Sequence, residues 1–215
     1  MSVAVTLKTT LIRAAELVAS PWKNGGGVTR EIAAHPQGAP LDSFVWRVSV
    51  ADVAAAGPFS KFPGIDRTLV LLSGAGMLLD EHEAHDSEHG LRTHTLTQPL
   101  DVARFAGEAA IDAQLVDGAT RDFNLMLRRG AATGALDVWR GDGRDMQRTL
   151  NGDVVLLYCA AGPVTLTLGD SAPVHCATGD TLRIDADAAN ALLCHASAAG
   201  MPGAIALLAI EIRYA

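Results

Sequence analysis

The sequence is short of the residues that most often announce a function. Of its 215 residues only 5% are aromatic and three are cysteine. Lysine and arginine (17) are outnumbered by aspartate and glutamate (24), for a formal net charge of −7. A basic face for a phosphate backbone is therefore missing, and the pair Arg128–Arg129 is too short to supply one, so nucleic acid is not an expected partner. No apolar run near the C-terminal end reaches the ~20 residues that span a bilayer; the longest runs from Ala204 to Ile210. Lys8 and Arg13 interrupt the apolar residues at the start, unlike the continuous apolar region of a secretory leader. The expectation is a cytoplasmic protein with no membrane partner. Cys159, Cys176 and Cys194 leave one thiol over in any pairing and fit no zinc spacing, so they read as reduced, buried residues. Cys194 beside His195 is not a nucleophile–base pair, because neighbours along a strand face opposite ways.

What the sequence does have is β-signal. In Phe44–Val53 (FVWRVSVADV), Phe44, Trp46, Val48 and Val50 alternate with Val45, Arg47 and Ser49, a period of two in strand-forming residues. Thr68–Leu72, a Ser-Gly-Ala-Gly turn at 73–76 and Met77–Leu79 read as strand, turn and strand. Similar runs follow at 95–104, 111–116, 123–127, 153–159, 164–168, 181–184, 191–195 and 204–213. A short helix is expected at 11–18, where Leu11, Ala14, Ala15 and Val18 share a face. Many short strands separated by turns indicate an all-β sandwich or barrel, not βαβ units.

The chain also repeats itself. LVLLSGAG at 69–76 aligns with VLLYCAAG at 155–162, an offset of 86 (155 − 69), and TQPLDV at 97–102 with TGDTLR at 178–183, an offset of 81 (178 − 97). The difference falls within Glu81–Gly90, which gives the first copy a longer hairpin loop. Two units are expected: 1–130, carrying the ligand pocket, and 131–215, mainly structural, joined through a Gly-, Ala- and charge-rich link near 128–148.

Three segments carry a family resemblance: PWKNGGGVTREI at 21–32; Phe44–Val53 running into GPFSKFPGIDR at 57–67 and the strand and turn at 69–76; and DFNLM at 122–126 followed by Arg128-Arg129-Gly130. Over roughly the first 130 residues the chain resembles the HutD/Ves family. That resemblance implies a bicupin, two tandem cupin (RmlC-like jelly-roll) β-barrels. It also implies an association with histidine utilisation, in which the family's proposed role is to bind a pathway metabolite such as N-formylglutamate or urocanate rather than to catalyse a step.

Metal-dependent cupins place two His and a Glu before the first glycine turn, the Glu seven residues ahead of the turn glycine. Here that slot, counted back from Gly74, holds Arg67. The earlier His slots at Ser60–Pro63, and the later one near Phe105–Ala110, hold no His. Asp153 stands where Arg67 would be in the second copy. Neither unit supplies the three donors a transition metal needs, so no metal and no cofactor are expected. An arginine in that slot reverses the sign of the pocket and offers a bidentate clamp for a carboxylate.

Arg47 and Ser49 share a face of a neighbouring strand, and Thr29 and Glu31 alternate likewise. Together with Arg67 they suit an amino-acid-like or acylamino-acid ligand. The other reading makes Arg47 and Arg67 structural ion pairs with Asp66, Glu31 or Asp52. Trp22, Lys23 and Asn24, before three glycines, fit either a loop over the barrel mouth or a β-bulge; the phosphate-binding glycine motifs are absent. Asp122 and Asn124 share a face as a pocket edge or a turn cap. The His- and acid-rich stretch 81–89 reads as a solvated loop. The second barrel is expected to be packed solid, with Tyr158 and Arg183 its only interior polar candidates.

No residue forces an enzymatic reaction. The leading expectation is a binding or regulatory protein for a small carboxylate metabolite. The alternative is a metal-independent isomerase, epimerase or lyase using Glu31 and Lys23 as acid and base. An exposed sheet edge is compatible with a homodimer.

Overall fold

The computed structural model describes residues 7–82, 91–142, 145–186, 191–199 and 204–215. Its elements, in chain order, begin with β1 (Leu7–Ile12), a 3-10 turn (Ala14–Glu16), β2 (Ala19–Pro21), β3 (Gly27–His35), β4 (Trp46–Val53), β5 (Gly57–Pro58), β6 (Ile65–Ser73), β7 (Met77–His82) and β8 (Leu91–Leu96). There follow β9 (Val102–Ala106), β10 (Ala110–Leu115), β11 (Thr120–Arg128), β12 (Ala132–Asp142), β13 (Met146–Leu150) and β14 (Val154–Ala161). Last come β15 (Val164–Leu168), β16 (Val174–Cys176), β17 (Thr181–Ala186), β18 (Leu192–Ala198) and β19 (Ala204–Tyr214). Among the described residues the fold is all-β, and no helix is long and apolar enough to cross a membrane.

The chain divides into two compact units, one contiguous (Leu17–Ala132) and one split, in which residues up to Glu16 join Thr133–Ala215. In the contiguous unit a six-stranded sheet, β2-β3-β4-β11-β6-β9, accompanies a four-stranded one, β5-β10-β7-β8. The split unit has β1-β17-β14-β19-β12 and β13-β18-β15-β16. The internal repeat is thus legible as strand order. β4-β11-β6-β9 in one unit corresponds to β12-β19-β14-β17 in the other, and β5-β10-β7-β8 to β13-β18-β15-β16.

Each core follows from strand alternation. In the contiguous unit Leu69, Leu71, Met77, Leu79, Leu96, Phe105 and Ile111 form one buried cluster drawn from both sheets. In the split unit Val155, Leu157, Val164, Leu166, Leu182, Ile184 and Leu207 do the same, with all three cysteines inside. The thiols are free and buried, and burial pushes Cys159 and Cys194 up to about 12 and Cys176 to about 11. The Gly74 turn joins β6 to β7 at φ +102°, where an added Cβ would lie 2.7 Å from the Ala119 carbonyl oxygen, so a non-glycine residue would meet both strain and a clash.

Several expectations change. The helix expected at 11–18 is instead the end of β1 and a single 3-10 turn; β1 pairs in register with β17, Leu11 opposite Leu182, and that nonlocal pairing outweighs a weak helical pattern. For the same reason residues 7–16 lie with the later unit, not with the unit that was expected to span 1–130. The run 95–104 is two strands, broken where the Asp101 carboxylate accepts the backbone N–H groups of Thr97 and Gln98 (2.9 and 2.8 Å). The expected link at 128–148 is mostly strand; its small and charged residues hid β12 and β13, which are held by buried Leu136, Trp139 and Met146.

Candidate functional site

The inward face of the six-stranded sheet carries an unusual set of residues, and the register shows how it arises. On β11, Asp122, Asn124 and Met126 alternate with Phe123 and Leu125. Asp122 lies opposite Ala51 of β4 and Leu71 of β6, Asn124 opposite Ser49 and Leu69, and Met126 opposite Arg47 and Arg67. On the far side of β6, Arg67 is paired with Phe105. On the far side of β4, Thr29 and Glu31 are opposite Ala51 and Ser49. The two arginines therefore share one row, two strands apart or roughly 10 Å, with the Asn124 row and then the Asp122 row behind them.

These side chains line a cavity of about 560 Å³. Trp22, Lys23, Asn24, Thr29, Arg47, Ser49, Arg67, Asp122 and Asn124 all contribute to its wall. Glu31 does not. It is exposed, and its carboxylate accepts a hydrogen bond from Arg47 Nε at 2.7 Å, while Arg47 also reaches Ser49 Oγ at 3.4 Å. The ion-pair reading thus holds for Arg47. It does not hold for Arg67: Asp66 pairs with Arg129, and Asp52 with Arg30 and Arg121.

Arg67 is only 7% exposed and has no ion-pair partner among the described residues. The rings of Phe59, Phe62 and Phe105 surround its guanidinium at 5.4, 5.6 and 5.0 Å, within range for cation–π attraction. One NH group donates to the Ser60 carbonyl at 3.4 Å, and its buried Nε has no partner among the described residues. Burial lowers its pKa to about 10, opposed by the negative charge of Asp122. Asp122 is itself only 1% exposed. Burial raises its carboxyl to about 7 against the pull of Arg67, with Asp52 adding a smaller push in the same direction. Asn124 presents a buried Oδ1, also without a partner among the described residues.

The glycine segment is neither bulge nor free loop but the turn of the β2–β3 hairpin. The Trp22 N–H donates to the Gly27 carbonyl and the Gly25 N–H to the Trp22 carbonyl. Asn24 spends its Oδ1 on the Gly26 N–H at 3.0 Å, and Lys23 beside it is exposed. Gly27 lies beneath the Trp22 ring, where an added Cβ would stand 3.1 Å from the ring and 2.6 Å from the Asp52 carbonyl oxygen. That close approach lets Trp22 Nε1 donate to Thr29 Oγ1 at 2.7 Å while the ring meets Phe59 edge-on.

The aromatic cage escaped the sequence reading. Phe59 and Phe62, three apart in a Pro/Gly-rich loop, were a visible signal that alternation does not decode. Phe105 needed the β6–β9 pairing. The split unit, expected to be packed solid, has a buried core; a groove of about 510 Å³ at its surface is bordered by Trp139, Arg140, Arg148, Thr149 and Glu211, among others, of which Arg140, Arg148 and Thr149 are exposed. Tyr158 and Arg183 are not its polar centre. Each alternates with residues of the core cluster, and Arg183 pairs with Asp185 at 2.7 Å. Of the His-rich stretch only Glu81 and His82 lie within the described residues. Among those residues no group of three His, Cys, Asp or Glu side chains could hold a metal ion.

The comparisons with known proteins agree in direction. A family model described as HutD matches residues 14–201. An uncharacterised 21.2 kDa protein encoded in the hutC 3′ region of Pseudomonas putida is 34% identical over 175 residues, 81% of this chain and 86% of that one. The crystal structure of PA5104, a conserved protein of unknown function from Pseudomonas aeruginosa PAO1, superposes with a TM-score of 0.82 at 27% identity, over 97% of this chain and all of that one. The structure of HutD from Pseudomonas fluorescens SBW25 (formate condition) gives 0.76 at 29% identity, over 97% and 100%. YlbA of E. coli and oxalate decarboxylase of Bacillus subtilis, at 11% and 8% identity with TM-scores of 0.64 and 0.63, show the shared cupin fold alone.

Proposed function

Because the chain belongs to the HutD family, cupin proteins associated with histidine utilisation, we propose that its cavity binds a small carboxylate metabolite of the N-formylglutamate or urocanate class. Its role would be regulatory and cytoplasmic, with no resident metal or cofactor. One observation carries the reading: Arg67 is a nearly fully buried guanidinium with no carboxylate among the described residues paired to it. Burying a cation unpaired costs several kcal/mol, and three aromatic rings and a distant aspartate offset only part of that. A ligand carboxylate would complete the arrangement with a bidentate, charge-assisted pair, and its apolar body would lie against Phe59, Phe62 and Met126.

Isothermal titration calorimetry tests this with N-formylglutamate, urocanate, glutamate and histidine against wild type and Arg67→Ala. Saturable binding of at least one acid, lost in the variant, is expected. No heat from any of the four with folded protein would remove the histidine-pathway reading.

A second reading, metal-independent isomerase, epimerase or lyase chemistry, is supported by a different observation. Glu31 is engaged by Arg47 and Lys23 is exposed, so the expected acid–base pair is weak. Asp122, however, has a proton affinity near neutrality inside the cavity, which suits general acid–base work. Turnover of an acidic substrate that Asp122→Asn abolishes would favour this reading over simple binding.

A further inference from the structure

The cavity holds more than an anion clamp, and its charges can be counted wall by wall. β4 contributes Arg47, whose charge is matched by Glu31 of β3 at 2.7 Å. β6 contributes Arg67 and β11 contributes Asp122, both buried and not in contact as an ion pair. The β2–β3 turn adds Lys23, which is exposed and so weakly effective against a bound charge. Asp52, the remaining acid acting on Asp122, is held by Arg30 and Arg121 at 2.5 and 2.6 Å. Among the described residues the interior thus offers one cation without an ion pair, and behind it a buried acid and a buried amide oxygen, the latter without a hydrogen-bond partner among those residues.

Resting on the carboxylate-site reading above, we propose that Asp122 and Asn124 fix the ligand class: a monocarboxylate whose other end carries an N–H donor. The carboxylate meets Arg67. Asn124 Oδ1 and Asp122 are the buried acceptors at that end, one and two rows away on the same strand face at roughly 7 Å per row, and the N–H meets the nearer, Asn124 Oδ1. An analogue without the donor leaves those acceptors unpaired on a desolvated wall, which binding sites built for a donor reject strongly. A second carboxylate finds only Lys23, at the rim.

The same geometry couples binding to a proton. A carboxylate paired with Arg67 cancels the positive charge that favours ionised Asp122 and so disfavours that form, leaving Asp122 neutral in the complex. At pH 8 the free protein carries Asp122 mostly ionised, given its value of about 7. Binding at pH 8 therefore takes up close to one proton per ligand.

The test is calorimetry at pH 8 in two buffers of different ionisation enthalpy. The probes are urocanate, cinnamate (the same acrylate without the ring N–H) and N-formylglutamate (a dianion). Urocanate is expected to bind at least tenfold more tightly than either of the others, with uptake of about one proton. In Asp122→Asn, verified as folded by its melting transition, uptake falls to about zero and affinity rises by about tenfold, because roughly one free molecule in eleven is neutral at this position in wild type. Equal or tighter binding of cinnamate or the dianion, or proton uptake that survives in the variant, overturns the inference and leaves the carboxylate site standing. Silence with all three probes overturns the carboxylate site, and this inference with it.

Discussion

Asp122 is a group the fold holds against its own solvation preference, and replacing it with asparagine measures by how much. The folded carboxyl has its proton affinity raised from the ordinary 3.8 to about 7, mainly by burial. Below pH 4 both folded and unfolded chains hold the proton, and the residue contributes no pH dependence. Between pH 4 and pH 7 the unfolded chain has released it and the folded chain has not, so stability declines as pH rises; above pH 7 the loss is complete. Three powers of ten in proton affinity, at ~1.4 kcal/mol each, set a ceiling of roughly 4 kcal/mol. Asp122→Asn keeps the shape and removes the charge. Its urea midpoint is expected to lie close to that of wild type at pH 4.5 and clearly above it at pH 8, by about 1–3 M if a difference of about 2–4 kcal/mol is spread over a typical slope. The reasoning fails if the variant is less stable than wild type at pH 8, or if the two midpoints differ by the same amount at both pH values.

Other residues give independent tests. Arg67→Met, which places an apolar side chain of similar length in the Phe59–Phe62–Phe105 cage, is expected to stabilise the fold by ~1–4 kcal/mol while abolishing carboxylate binding; a lower melting temperature would contradict the account of Arg67 as a costly buried charge. Gly27→Ala drives a methyl group into the Asp52 carbonyl and the Trp22 ring. It should cost about 1–3 kcal/mol and weaken binding, and unchanged tryptophan fluorescence and affinity would show that the turn is not held by that approach. Asp180 accepts hydrogen bonds from the Ala14 and Ala177 N–H groups and from Arg13. Asp180→Ala should destabilise the split unit by about 1–3 kcal/mol at pH 7. The wild-type advantage should fade as acidification protonates a carboxylate whose affinity these partners lower, read as the difference between urea midpoints at pH 7 and pH 3. The three buried thiols should be silent to a thiol reagent at pH 8 in native protein and react fully in denaturant; rapid native labelling would place at least one at the surface.

Much of the site was legible because strands are simple. In a period-two element, knowing that Trp46 and Val48 are buried on one face puts Arg47 and Ser49 on the other, and the same logic gave Asp122 and Asn124 around Phe123. Arg67 came from counting back from a glycine turn whose geometry fixes where the strand begins. What was not legible depended on pairings between distant segments. Phe105 reaches Arg67 only through the β6–β9 ladder, and Glu31 leaves the cavity because its carboxylate is within reach of Arg47, a contact alternation does not foresee. β12 was missed because its small and charged residues carry little strand signal, and its place in the sheet is set by buried anchors such as Trp139. Residues 11–18, which begin in the last two positions of β1, looked helical in isolation because the partner of β1, β17, lies on the far side of the chain.

That last pairing gives the molecule a chronology. A ribosome that has made β1 must add about 170 residues before Thr181, the partner of Ile12, exists, an interval of roughly ten to thirty seconds at ordinary elongation rates. All of Leu17–Ala132 emerges within that interval as an unbroken segment, free to close its own core first. β1 waits beside it with its backbone donors and acceptors unclaimed by a sheet. Of the described strands β1 is made earliest and paired among the last, and the sheet edge it covers on β17 stays open until β1 docks there.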